Sequence, residues 1–502
     1  VDVTPAHPTL KRSASPSSLR RLARKARRGI PLFIPRERPR TYTVEAVCAL
    51  PHPEPIHALA ASSCMTHLLT GADDGYIRDY DLYTSVNGKI FLSSQQRHHA
   101  SVVEGLIKAG QLRCWWENPP PTDLSNTAAS SVEGRQPSSV LSLAMHSEAL
   151  WALSGSSKGH INLFTVRHEP GRLVHTLNGH NLPVSALALD HDEKGLFSAS
   201  WDGVTIQWDL NTGQQVRQFT SHGAQLSCVA VRPVNAVYRE TGTDSISLGL
   251  DMPSTQAINK SPQAQAQGIK SDADMLSLPT LGGPRPPPPK PIGLPKTAPP
   301  VLTSSSYRDF SPDILMTAGI DGQIILWDKR VPNPGRDTTT DQWKGVGRLW
   351  LSEKTPPWCM SATWSPDGMQ IYAGRRNGAV EVWDVRQMGL RSNTPRLLKT
   401  LRNPASSGVV SCVVAFPDSR HIACASIDNI RLWNVAEAGE FDATKSRGGV
   451  QFKIIPGHHG GYVSQMLIDP AGRFMVTASS NRGWHGESTR TVFIHDIKRV
   501  LS

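Results

Sequence analysis

No stretch of this chain approaches the ~20 consecutive apolar residues that a membrane-spanning helix needs, so no transmembrane helix and no membrane partner are expected. Cysteine is sparse: Cys48, Cys64, Cys114, Cys228, Cys359, Cys412 and Cys424 are an odd number, with no Cys-x-x-Cys pair and no secretory signal. That usage sets aside a disulfide framework and a cysteine zinc site, and it predicts free thiols in the reducing cytosol or nucleus. The phosphate-cradling G-x-x-x-x-G-K-S/T loop is missing, and His98-His99 and His458-His459 lack the spacing of metal ligands. No cofactor, metal or small-molecule substrate is expected. The chain begins at Val1 without an initiator Met, as a piece of a longer protein would.

The net positive charge is concentrated in one place. Residues 1–40 hold 11 Lys/Arg against Asp2 and Glu37, net +9 of the chain's +11, which leaves +2 for the other 462 residues. A nucleic-acid surface is therefore an option only for this leading arm and not for the body. Within it, Arg20, Arg21, Arg24, Lys25, Arg27 and Arg28 cluster in SSLRRLARKARRG. The cluster is a candidate nuclear-import signal, with a weak nucleic-acid contact, an acidic-partner contact or a plain solvated charge run as the other readings.

What the chain has in abundance is repetition. Seven segments end in a short alternating strand: residues 76–82, 160–166, 204–210, 323–329, 379–385, 429–435 and 491–497. Five follow a turn pair suited to φ > 0, namely Asp74-Gly75, Lys158-Gly159, Asp202-Gly203, Asp321-Gly322 and Asn377-Gly378. Upstream of each turn lies an apolar strand ending in small residues, as in LFSASWDG and LMTAGIDG, and a second one before that. The unit is a four-stranded antiparallel sheet whose small residues let inner strands of neighbouring units converge. YTVEAVCAL (42–50) has no unit of its own and is expected to supply the outer strand of the seventh, leaving no long open edge.

This pattern resembles the WD-repeat family over residues 41–502. The fold it implies is all-β: a seven-bladed propeller, closed by the N-terminal strand. The third repeat is the fullest, with Gly179-His180, Ser198 or Ser200, Asp202 and Trp208-Asp209. In the family such a His, Ser/Thr, Asp and Trp form one buried hydrogen-bond network, which the resemblance carries onto His180, Ser198, Asp202 and Trp208. Ser221-His222 and Gly457-His458 keep the His elsewhere, whereas the second repeat has neither Asp nor Trp.

Three stretches interrupt the repeats. In HHASVVEGLIKAG (98–110), read as lying between blades 1 and 2, Val102, Val103, Leu106 and Ile107 recur at helical spacing and Gly110 suits a stop, which predicts an inserted helix, either partner-specific or a blade cap. Residues 233–308 end in GPRPPPPKPIGLPKTAPP, a composition expected to be disordered, as a loop insertion or a ligand for proline-recognising domains. Residues 1–40 are expected to be a disordered basic arm.

Ser198, His180 and Asp202 also have the residue types of a hydrolase triad, but in this repeat the same groups would satisfy one another inside a sheet, and no catalytic residue is assigned. Partners are expected where second-to-third-strand turns and first-strand entries emerge. The aromatic and Arg side chains there are Trp201, Trp358, Arg375, Arg376, Arg482 and Trp484, each of which could instead pack on a neighbouring blade. Trp327-Asp328-Lys329-Arg330 and Trp383-Asp384-Val385-Arg386 fit the W-D-x-R box of some cullin-type ubiquitin-ligase substrate receptors, the alternative function.

Several stretches that the repeat does not dictate resemble one branch of the family, the fungal WD-repeat subunits of the SAGA transcriptional coactivator complex. They are GADDGYIRDYDL (71–82), Trp116-Glu117-Asn118, ALWALSGSSKGHINLFTVRHEPG (149–171) and SASWDGVTIQWDLNTGQQVRQF (198–219). The resemblance implies a nuclear, non-catalytic subunit that contacts other subunits and TATA-binding protein. Such a subunit brings that protein to promoters of RNA polymerase II or holds it away from them.

Overall fold

Each repeat folds as the alternation of its strands requires, with apolar positions turned into the sheet-to-sheet layers and turns at both ends. The computed structural model describes residues 39–99, 106–121, 136–220, 223–233, 313–331, 335–337, 342–344, 346–349, 351, 355–388, 395–438, 452–457, 461–480 and 489–501. Seven four-stranded antiparallel sheets make a seven-bladed β-propeller. Here the strands of a blade are called a to d from the inside outward.

The inner a strands are Ile56–Ala61, Val140–Met145, Val184–Leu189, Leu226–Val231, Cys359–Trp364, Cys412–Ala415 and Val463–Ile468 for blades 1 to 7. Each touches the next around the ring, and the seventh touches the first. The close approach depends on missing side chains. A Cβ on Gly71 in strand b of blade 1 would stand 2.3 Å from Val140 Cγ1 of blade 2, and one on Gly155 in blade 2 would stand 2.8 Å from Val184 Cγ1 of blade 3.

Serines stitch the same seams. Ser142 Oγ donates to the Val184 carbonyl (2.8 Å), Ser185 Oγ to Leu226 (2.7 Å), Ser227 Oγ to Cys359 (2.6 Å) and Ser464 Oγ to Ile56 (2.5 Å). Ser361 Oγ instead accepts from the Val413 amide at 3.0 Å. The seams between blades thus combine apolar contact with a buried polar bond.

Blade 7 consists of Val463–Ile468, Phe474–Ser479, Thr491–Val500 and, as its outer strand, Thr41–Pro51. The two ends of the chain pair in register from Thr41↔Val500 to Pro51↔Thr491, with one bulge between Ala46 and Cys48. Head-to-tail pairing closes the ring and covers the edge that Thr491–Val500 would otherwise expose.

Among the described residues, helix lies earlier than the spacing predicted. Two short helices, α1 (Leu82–Asn87) and α2 (Ser94–His99), follow strand c of blade 1, and strand d of that blade is Gln111–Glu117. Leu106, Ile107 and Gly110 belong to no helix or strand, and single β-bridges form at Lys108 and Ala109. The insertion therefore sits inside blade 1 and not between blades 1 and 2. Leu106 is buried against Ala49 and Phe493 of blade 7, which explains its apolar character without a helix. Val102 and Val103, residues 1–38 of the basic arm and nearly all of the proline-rich insertion lie outside the described residues.

Candidate interaction face

The turn from strand b to strand c and the link from one blade's strand d to the next blade's strand a meet at the same end of each blade. In blade 3 a chain of hydrogen bonds ties them together. Trp208 Nε1–H donates to Ser198 Oγ (2.8 Å), whose hydroxyl reaches His180 Nε2 (2.8 Å), while His180 Nδ1 faces Asp202 Oδ2 (3.0 Å). An Nδ1–H that donates to the carboxylate leaves Nε2 as acceptor for the serine, so the neutral tautomer fits every contact. Burial pushes the His180 pKa down, partly offset by Asp202. Ser198 is fully buried.

Other blades reach the same end with different side chains. His52, in the link into blade 1, donates from Nδ1 to the Leu50 carbonyl (2.9 Å) and accepts at Nε2 from Thr70 Oγ1 (2.8 Å). Burial pushes its pKa down to about 4. In blade 2, buried Asn118 takes the place of the histidine: its Oδ1 accepts from Ser154 Oγ and from Asn162 Nδ2, both at 2.8 Å. In blade 4, Trp327 Nε1–H donates to Thr317 Oγ1 (2.9 Å). Its candidate histidine, His222, lies outside the described residues, as does His458 of blade 7.

Blade 5 carries an ion pair. Arg375 sits opposite Cys359 as Ser200 sits opposite Val184, and Glu381 sits opposite Ala373 as Ile206 sits opposite Ser198. Arg375 donates to Glu381 Oε2 at 2.6 Å and 2.9 Å and to the Gly322 carbonyl of blade 4 at 2.7 Å, and Trp383 Nε1–H completes the group at 3.2 Å. Arg375 is 1% exposed. It is therefore not a partner-facing residue: at the C-terminal end of strand b its side chain is buried between Glu381 of its own blade and the Gly322 carbonyl of blade 4. In blade 6, Arg431 joins Asp428 (2.6 Å) and Ser407 (2.8 Å). Burial works against ionisation of Asp428, but the Arg431 guanidinium and the Ser407 hydroxyl hold its pKa at about 2.

These networks brace the turns that carry the exposed side chains. The Trp201 amide donates to the Pro183 carbonyl (3.0 Å) and Ser200 Oγ to the Leu182 carbonyl (2.9 Å). Laced in this way, blade 3 presents Trp201 at 41% and Leu182 at 46% exposure. In blade 5, the exposed Arg376 stacks its guanidinium 4.5 Å from the ring centroid of half-buried Trp358. Trp358 has φ 89°, a left-handed conformation that costs a bulky residue energy. Ile427 adds an exposed apolar side chain beside Asp428 in blade 6. Arg482 and Trp484 lie outside the described residues.

The W-D-x-R boxes are arranged otherwise than a free binding motif. Asp328 is buried and paired with Arg330 Nη2 at 3.0 Å, and Asp384 is buried too. The Asn118, Arg375–Glu381 and Arg431–Asp428–Ser407 groups were not legible as network members, because the repeat pattern looks for His, Ser and Trp. Their signal is positional: Asn118 occupies the strand d to strand a link, and Glu381 and Arg431 interrupt otherwise apolar c strands.

The SPT8 β-propeller family model matches residues 42–265 and 305–498. SAGA complex subunit Spt8 of Schizosaccharomyces pombe is 35% identical over 468 residues, 91% of this chain and 79% of the relative. SAGA complex subunit SPT8 of Saccharomyces cerevisiae is 33% identical over 478 residues, 91% of this chain and 73% of the relative. Actin-interacting protein 1 of Caenorhabditis elegans is 23% identical and covers 56% of this chain and 51% of its own length.

Proposed function

We propose a function from one premise: the chain belongs to the SPT8 β-propeller family, whose two fungal relatives above are SAGA complex subunits. It is a non-catalytic scaffold of a SAGA-type transcriptional coactivator complex, acts in the nucleus and contacts other subunits of that complex. Its finer task is to bind TATA-binding protein and regulate its delivery to promoters.

One observation supports the binding role above the rest. Trp201 with Leu182, and Trp358 with Arg376, stand exposed or half-exposed on turns braced from beneath by buried networks. Aromatic and Arg side chains dominate interface energetics, and a stiff frame loses little conformational freedom on binding. The polar residues with catalytic types are committed elsewhere: Ser198 is spent on His180 and Trp208 inside the blade.

The test is retention of TATA-binding protein on the immobilised full chain, with a cullin-ligase adaptor alongside. Trp201→Ala and Arg376→Glu should each weaken retention by about tenfold or more, as the loss of an interface residue worth more than about 1 kcal/mol does, with melting temperatures near that of the parent. Retention of the adaptor alone, or full retention of TATA-binding protein by both variants, would overturn the reading.

A further inference from the structure

The closing strand Thr41–Pro51 pairs with Thr491–Val500 along one edge. Its other edge would be open, but it is not bare. The Ala49 amide donates to the Lys108 carbonyl and the Gly110 amide donates to the Ala49 carbonyl, both at 3.1 Å. Ala49 therefore spends both backbone groups on the blade 1 insertion, in a parallel bridge to Ala109. Behind it, Leu92 N–H donates to the Ile107 carbonyl (2.8 Å) and Ala109 N–H to the Ile90 carbonyl (3.0 Å), so residues 90–92 and 107–109 form a further antiparallel pair around Phe91↔Lys108.

Side chains seal the same junction. Leu92, Leu106 and Ala109 bury themselves with Ala49 and Phe493, in a small core separate from those of the other blades. Leu82 of α1 is fully buried among Cys48, Leu50, Phe474 and Val476, and Arg473 of blade 7 lies 5.5 Å from the Tyr83 ring centroid. Lys108 Nζ bonds the Val86 carbonyl at 2.5 Å, which ties the clasp to the end of α1. The outward side chains Ile90, Phe91 and Ile107 remain 43%, 57% and 48% exposed.

We infer that this insertion is a latch on the ring closure: residues 90–92 and 106–110 of blade 1 grip the outer edge of the N-terminal strand. That strand cannot peel from blade 7 until the latch lets go. A strand paired on one edge frays from its ends, whereas one paired on both edges opens only with the loss of two sets of bonds. The latch also joins the first blade to the last on the outside of the ring, where the a-strand contacts do not reach.

Amide hydrogen exchange on the full chain tests this. In Leu92→Ser, amides of residues 44–50 should exchange at least about tenfold faster, while strand b of blades 3 and 5 (196–200 and 370–375) keeps its protection. Phe91→Ser, an exposed neighbour, should leave residues 44–50 unchanged. Unaltered exchange at 44–50 in Leu92→Ser, or equal acceleration in every blade, would overturn the inference. Should Leu92→Ser not fold, the milder Leu106→Ala reads the same two regions against the same criteria.

Discussion

Ser198 Oγ is held 2.8 Å from His180 Nε2, the spacing of a nucleophile and its base, yet the serine is fully buried and the same oxygen accepts the indole N–H of Trp208. Geometry alone would allow chemistry; access decides that the bond braces a turn. Ser198→Ala should leave the Trp208 N–H and His180 Nε2 unpaired in the interior and cost about 1–3 kcal/mol. Thermal melts should show that loss without a change of fold by circular dichroism. An unchanged melting temperature would mean that the network adds nothing to blade 3.

The seam serines make a comparative prediction. Ser464 joins blade 7 to blade 1 and Ser185 joins blade 3 to blade 4 through the same kind of hydroxyl-to-carbonyl bond, at 2.5 Å and 2.7 Å. One seam lies at the chain's splice and the other within continuous sequence. In a ring closed by ten paired residues, the two should matter alike. Each serine-to-alanine variant should lose about 0.5–1.5 kcal/mol. A much larger loss for Ser464→Ala in denaturant unfolding would show that the splice is the weak point.

Acid should weaken blade 1 through His52. Burial lowers its pKa from the ordinary 6.5 to about 4, so the unfolded chain takes up a proton over a range where the folded one does not. Stability carried by the neutral ring is complete above pH 6.5 and is lost as pH falls toward 4, reaching about 3 kcal/mol for a gap of this size. A protonated Nε2 could no longer accept from Thr70 Oγ1. His52→Gln should flatten the stability profile between pH 4 and 6.5, measured by melts at constant ionic strength.

Turn pairs such as Asp202-Gly203 and the alternation around Trp208 mark strands because their causes are local: φ > 0 at a tight turn, and a period of two. The ring closure was legible from Tyr42–Leu50, a strand with no partners nearby in sequence. Leu106 misled because a periodic apolar stretch reports burial, not the element that achieves it, and the surface that buries it, Ala49 and Phe493, lies far along the chain. The fit of Asn118 into blade 2 was invisible for the same reason: its partners Ser154 and Asn162 are more than 30 residues away.

Arg375 and Arg376 are neighbours in sequence with opposite fates, and mutation should separate them. Arg375 is closed in with Glu381, with side chains 1% and 6% exposed and 2.6 Å apart. Removing the guanidinium strands a carboxylate that also serves Trp383, so Arg375→Ala should cost about 3–5 kcal/mol, the usual penalty for breaking a buried pair. Arg375→Ala with Glu381→Gln should recover part of that loss, because the orphaned charge is gone. Arg376 lies outside, stacked on Trp358, and Arg376→Glu should change stability by no more than about 0.5 kcal/mol while it weakens partner binding. Calorimetric melts and retention assays on the three variants check both halves. Equal destabilisation by the two single substitutions would contradict the burial that distinguishes them.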